Sequence, residues 1–307
     1  MEVKMTMFGL LAAFGGGIFG TAIGALTAFA FVGFLVMIGV AIQLSMAPGD
    51  VTFYGIPFGM FGPHVGGFAS GVAAAAYAAS RGKLDSGRNI VAGMMGLNRP
   101  DVLLIGGAFG IFGYIVQWSL AQVPDFGPGI VWTDTVALTV VISAILARLM
   151  FGKTGLFGKA EPGRAFYSPS DGAKWLAFES DPGQLLVIGL GVGLMSGYLG
   201  VTYGAPGVFL AFGVAAASLL FLQLGILIPV THHIALPAAL VAASSGSIVW
   251  AGIAGVVCAF VGEFFARTFL SHGDTHIDPP ACTIAVMTLV INFLTSIGFW
   301  KLAHIPF

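Results

Sequence analysis

Residues 8–45 and 183–223 contain no Asp, Glu, Lys or Arg, and each run is too long for one membrane crossing. At 1.5 Å per helical residue, a hydrocarbon core of about 30 Å is crossed by roughly 20 residues. Each run must therefore turn back on itself while still apolar. The second carries its break openly, as Tyr203-Gly204-Ala205-Pro206-Gly207. In the first, Gly20, Gly24 and Thr27 are the turn positions. Splitting both runs and adding the apolar stretches 58–80, 101–121, 132–150, 230–246, 247–270 and 280–302 gives an all-α, polytopic chain of about ten transmembrane helices.

Composition closes off the soluble alternatives. Only 8% of the 307 residues are charged and 57% are hydrophobic, whereas a soluble domain carries about 25% charge. The 12 Lys and Arg are scattered, so no basic stripe exists for nucleic acid. The first apolar run follows the N-terminus with no small-residue cleavage site and is read as mature sequence. No Gly-x-Ser-x-Gly or Gly-x-x-x-x-Gly-Lys occurs, and no cofactor is implied. Cys258 and Cys282 sit in apolar runs and read as small buried hydrophobes.

Charge placement orients the chain. With ten spans and the N-terminus outside, Arg81, Lys83, Arg88 and Arg99 share one cytoplasmic loop. Arg148, Lys153, Lys159, Arg164 and Lys174 lie in or beside another, and Arg267 ends a span on that side. Only Lys4 and Lys301 remain outside, in keeping with the positive-inside rule. An eight-span chain with its N-terminus inside fits the charges as well, so length decides for ten. The hydrophilic segment 152–182 then divides a first unit, 1–151, from a second, 183–307. It reads as a solvated linker, with an interfacial segment or partner-docking site as the alternative.

The two units resemble each other. Gly17-Ile-Phe-Gly-Thr-Ala-Ile-Gly24 sits over Gly193-Leu-Met-Ser-Gly-Tyr-Leu-Gly200, and Gly107-Ala-Phe-Gly110 over Gly252-Ile-Ala-Gly255. His64 sits over His233, each in a proline-flanked apolar segment, and Asp134-Thr-Val-Ala-Leu-Thr139 over Asp278-Pro-Pro-Ala-Cys-Thr283. With five spans each, the copies lie in opposite orientations, the inverted-repeat plan in which broken helices frame a midplane site. Urea channels and other five-plus-five transporters have a similar plan.

Ionisable groups inside spans are candidates for a pathway. These are His64, His232, His233, Asp134 and Asp278, with Thr139 and Thr283 one turn further on. The plainer reading makes the aspartates helix N-caps and the histidines buried side chains satisfied by neighbours. Glu263 stands four residues before Arg267 and reads as an ion pair. His272, Asp274 and His276 are spaced to meet one metal ion only if that segment is extended.

Asp278-Pro-Pro-Ala-Cys-Thr-Ile-Ala resembles the His-Pro-Pro-Ala signature of the HPP family of small integral membrane proteins, and Gly87-Arg-Asn-Ile-Val-Ala-Gly93 is similar to a loop of that family. Some members are implicated in nitrite transport, so the resemblance implies an anion path. Asp278 stands where the family has His, which puts that anion site in doubt. The expectation is a non-enzymatic permease, transporter or channel, in the cytoplasmic membrane of a prokaryote, passing a small polar or ionic solute between the two units. Its partners would be the lipid bilayer, the solute and a second copy or membrane-complex subunit. A non-transporting anchor or scaffold and a metal-dependent intramembrane enzyme are the alternatives.

Overall fold

The computed structural model describes residues 5–45 and 57–303; Lys4, one of the two outside cations, falls beyond them. Among the described residues the chain is all-helical. The first part contains α1 (Met7–Ile23), α2 (Ala25–Ser45), α3 (Ala69–Ser80), α4 (Pro100–Leu120) and α5 (Thr135–Phe151). The second contains α6 (Pro182–Tyr203), α7 (Ala205–Gln223), α8 (His232–Ser245), α9 (Ile248–Phe265), α10 (Pro279–Ser296) and the single turn α11 (Phe299–Leu302). Among the described residues, six helices are long and apolar enough to cross a membrane: α2, α4, α6, α7, α9 with its π-helical extension to Leu270, and α10. Helices α1 and α5 are apolar but shorter.

Both long apolar runs break at glycine. Gly24 has φ +94° between α1 and α2, and Gly204 has φ +61° between α6 and α7. Side chains are rare at such φ, so the turn needs no polar residue to announce it.

The surface is apolar and the interior is small. Helix α6 turns Leu186, Val187, Leu190, Met195 and Tyr198 outward and buries Gly189, Gly193, Ser196, Gly197 and Gly200. This is the reverse of a soluble helix and what a lipid-facing bundle requires, because close van der Waals packing of small residues replaces the hydrophobic drive of water. Gly17 of α1 lies against the Gly106 carbonyl of α4, and Gly193 of α6 against the Ala251 carbonyl of α9. Likewise Gly110 faces the Ala13 carbonyl and Gly255 the Gly189 carbonyl.

Within each part, the first helix packs on the third and fourth, and the third on the fourth and fifth. Two helix pairs join the parts: α2 with α7, and α5 with α10. Both are antiparallel and reciprocal. Gly33 lies against Ala216 and Ala217, while Gly213, 180 positions later, lies against Val36 and Met37. The Arg148 guanidinium donates to Thr275 near the start of α10, and the Asn292 amide donates to the Val131 carbonyl near the start of α5. Residues 292 and 275 stand 144 positions after 148 and 131. The same spacing relates Asp134 to Asp278 and Thr139 to Thr283.

The expected span 58–80 is helical only from Ala69, whereas α8 fills nearly all of the expected span 230–246. Residues 57–68 form irregular turns before α3, and residues 224–231 form a turn and an extended stretch before α8. In the first, the Gly67 N–H reaches back to the Gly62 carbonyl and the Ala69 N–H to the Pro63 carbonyl. Both stretches run directly into a short, almost wholly buried helix.

Candidate functional site

A cavity lies between the two joining helix pairs. It encloses about 770 Å³ of space free of atoms, including the part open to solvent at its mouth. Its wall draws on α2, α5, α7, α8, α10 and the turn segment before α3. Its ionisable lining groups are Asp134, Asp278 and His232.

The local sequence explains how each is held. Asp134 caps α5, its Oδ1 accepting the Ala137 N–H at 2.8 Å. Asp278 caps α10 in the same way, its Oδ2 accepting the Ala281 N–H at 2.9 Å. Pro279 and Pro280 occupy the first helical positions, where a missing N–H costs nothing. Helix-start chemistry therefore accounts for the Asp-Pro-Pro-Ala string. The second oxygen of Asp278 meets His276 Nε2 at 3.1 Å; a carboxylate only accepts, so Nε2 donates. The plainer reading of the two aspartates as caps holds, and they face the cavity as well.

His232 opens α8. Its ring lies 4.8 Å from that of Phe29 and 6.2 Å from that of Phe212, centre to centre. It is 5% exposed, and its Nδ1 has no hydrogen-bond partner.

His64 and His233, expected on the path, stand off the cavity wall. Both are buried, yet neither lines the cavity. The His64 carbonyl packs on Gly113 of α4, and the His233 ring packs on Gly262 of α9. Successive residues on a helix point about 100° apart, so His232 takes the cavity and its neighbour takes the helix interface. Thr139 and Thr283 are fully buried, and each hydroxyl donates to a carbonyl four residues earlier, of Thr135 and Pro279. The trio His272, Asp274 and His276 does not converge. His272 Nε2 donates to the Phe166 carbonyl, Asp274 accepts from Lys153 N–H and Thr154, and His276 serves Asp278. Among the described residues, no group of three His, Cys, Asp or Glu side chains is placed to hold a metal ion. Glu263 and Arg267 form the expected ion pair at 2.7 Å, and both cysteines are buried thiols.

The segment expected to be a solvated linker is docked. Arg88 reaches the Ala173 carbonyl, the Lys159 N–H the His272 carbonyl, and Arg267 the Tyr167 carbonyl. Trp175 forms part of the cavity wall and lies 6.2 Å from the His233 ring. The Glu179 carboxylate accepts the Val230 N–H at 3.0 Å. Val230 lines the cavity too, so the linker closes one side of it.

Glu179 makes this closure sensitive to pH. Burial pushes its pKa up from 4.5 to about 7, the Val230 N–H bond opposing the rise and Glu263 adding to it. An acid whose pKa is raised by folding contributes stability below its unfolded value, and that contribution is lost as pH climbs through about 7. The thermal midpoint in detergent is therefore expected to be higher at pH 5 than at pH 8. The difference corresponds to a contribution on the order of 2–3 kcal/mol, and Glu179→Gln should remove most of it. A Glu179→Gln protein that keeps the full pH response would assign that response elsewhere.

No curated protein and no solved structure matches the chain. A single family model matches residues 1–170 and residues 170–306, and the chain belongs to that family, the family of unknown function (DUF7973).

Proposed function

We propose that this chain is a ten-span membrane permease built as an inverted repeat, with its solute path through the cavity between the repeats. The observation that carries the reading is the cavity itself, walled by elements of both units and presenting Asp134 and Asp278 from equivalent positions. The repeat is supported by the reciprocal contacts. When residue i touches j and the equivalent of j touches the equivalent of i, a two-fold axis relates the parts. Arg148–Thr275 with Asn292–Val131, and Gly33–Ala217 with Gly213–Met37, both follow that rule. Because the joining helices run antiparallel, the axis lies across them, in the plane a membrane would occupy. The family match falls into two stretches that meet within the linker, in keeping with this division.

Ten spans follow if α3 and α8 complete their crossings with the irregular stretches before them. Backbone of that kind is tolerated at membrane depth where it is buried in protein or lines a cavity. Positive-inside counting then puts the linker in the cytoplasm and the N-terminus outside. A scaffold subunit would have the aspartates against packed helices, and the cavity favours the permease over it.

Reconstituted in liposomes and offered radiolabelled choline, acetate and urea in turn, the protein is expected to take up at least one above protein-free vesicles. Asp278→Asn should slow that uptake at least tenfold. Uptake of none of the three, or uptake indifferent to both Asp134→Asn and Asp278→Asn, would overturn the assignment.

A further inference from the structure

Permeases distinguish solutes by what lines the path, and this lining is unusual in what it omits. Among the described residues, the cavity wall contains no Lys, Arg, Ser, Thr, Asn or Gln. Its side chains able to hydrogen-bond are Asp134, Asp278, His232 and the indole of Trp175. The rest is apolar, and much of it is aromatic: Phe29, Phe58, Phe68, Phe209 and Phe212 stand on the wall with Trp175. The rings form one connected group across both units. Phe29 of α2 meets Phe68 at 5.7 Å and Phe212 of α7 at 5.9 Å, and Phe58 meets Phe209 at 5.6 Å and Phe212 at 6.3 Å.

Each common class of solute can be weighed against that wall. An anion would face two carboxylates, with no lysine or arginine among the described lining residues to offset them. The N-termini of α5 and α10, which would otherwise draw an anion, already carry the Asp134 and Asp278 caps. A sugar or other polyol would lose most of its hydrogen bonds with water and find too few replacements, at about 1–3 kcal/mol for each group left unpaired. A bare inorganic cation such as Ca²⁺ needs about six to eight oxygen ligands, and the wall supplies those of two carboxylates. A cation carrying its own apolar skirt fits without such losses. Ring faces attract cations by about 0.5–2 kcal/mol each while burying their methyl and methylene groups, and the carboxylates supply the net charge. His232, 5% exposed, adds one buried imidazole to the wall.

We infer that the cavity binds an organic ammonium cation, with Asp134 and Asp278 as its counter-charges and the ring cluster around Phe29 and Phe212 enclosing its apolar part. This rests on reading the cavity as the solute path, and it names the class of solute.

The test uses the full chain in nanodiscs with radiolabelled benzyltrimethylammonium. Saturable binding is expected, displaced by the unlabelled cation and untouched by benzoate at the same concentration. Asp134→Asn and Asp278→Asn each preserve an N-cap, since Asn caps helices as well as Asp does; Asp134→Asn removes only the charge, while Asp278→Asn also gives up the bond from His276, so a thermal midpoint is measured for both. Each should weaken binding at least tenfold, and Phe212→Leu severalfold. Absence of saturable binding to the unmodified protein, displacement by benzoate, or full affinity in both Asn variants would overturn the inference. Uptake measured in parallel separates the two readings. Saturable, Asp-dependent binding without uptake of the cation into liposomes would uphold the site and overturn the permease. Uptake of acetate or urea with no cation binding would do the reverse.

Discussion

Replacing Arg148 by alanine is expected to cost the folded protein at least about 3 kcal/mol, since each buried acceptor left unpaired costs about 1–3 kcal/mol. Arg148 is 1% exposed in the last turn of α5. Its Nε donates to the Thr275 hydroxyl at 2.8 Å, and its Nη atoms donate to the carbonyls of Leu156, Phe269 and Thr275. Those acceptors lie in the linker, in the π-helical turn Ala266–Leu270 and in the approach to α10, so one side chain ties three segments together. Alanine would leave three carbonyls and a hydroxyl facing an empty space. Lysine keeps the charge but brings three donors on one point in place of a fork of five, and should recover less than half of the loss. At the equivalent position, Asn292 makes one bond of this kind, and Asn292→Ala should cost only about 1–2 kcal/mol. Thermal unfolding in detergent checks the order Arg148→Ala, Arg148→Lys, Asn292→Ala. A change below about 1 kcal/mol for Arg148→Ala would mean that water replaces the guanidinium without loss.

The role of Arg148 could not be read from the chain, and the reason is general to this fold. Its partners are mostly backbone carbonyls, which every residue has, so no side-chain motif marks them. In sequence, Arg148 counts only as a positive charge on the inner side. What was legible depended on length and on rare residues. The breaks at Gly24 and Gly204 follow from apolar runs too long for a bilayer, and Asp134 and Asp278, both helix caps on the cavity wall, stand out because carboxylates are scarce in such runs. The choice between His232 and His233 turned on a single residue step around a helix, beyond the resolution of comparing two diverged segments. The docked linker was hidden by its charge, which read as solvation. Its aromatic residues Phe157, Phe166, Tyr167 and Trp175 were the available signal, and the first of these stacks on Phe269 at 5.5 Å.

The irregular stretch before α3 was illegible for a different reason, and it supplies the other large expected effect. Nothing in Gly62-Pro63-His64-Val65-Gly66-Gly67 forbids a helix from starting two turns earlier than it does. The stretch is held in its turns by the glycine faces of its neighbours. Gly20 of α1 has the Gly66 carbonyl where a Cβ would stand, and Gly113 of α4 has the His64 carbonyl. In both cases the obstacle is backbone, which cannot swing aside as the end of a flexible side chain can. Gly20→Ala and Gly113→Ala are therefore each expected to cost at least 3 kcal/mol, above the usual 1–3 kcal/mol for overpacking a core. Gly15, on another face of α1, has nothing within 4 Å of such a Cβ. Gly15→Ala should be neutral, or stabilising by up to about 1 kcal/mol through helix propensity. The comparison on one helix separates steric exclusion from a general intolerance of alanine. Because Pro63 and Phe68 line the cavity, moving this stretch should also disturb ligand binding. A Gly20→Ala protein recovered with a lowered thermal midpoint is expected to bind benzyltrimethylammonium less tightly than the Gly15→Ala protein. Equal stability of the two variants would show that the stretch before α3 is not wedged between α1 and α4.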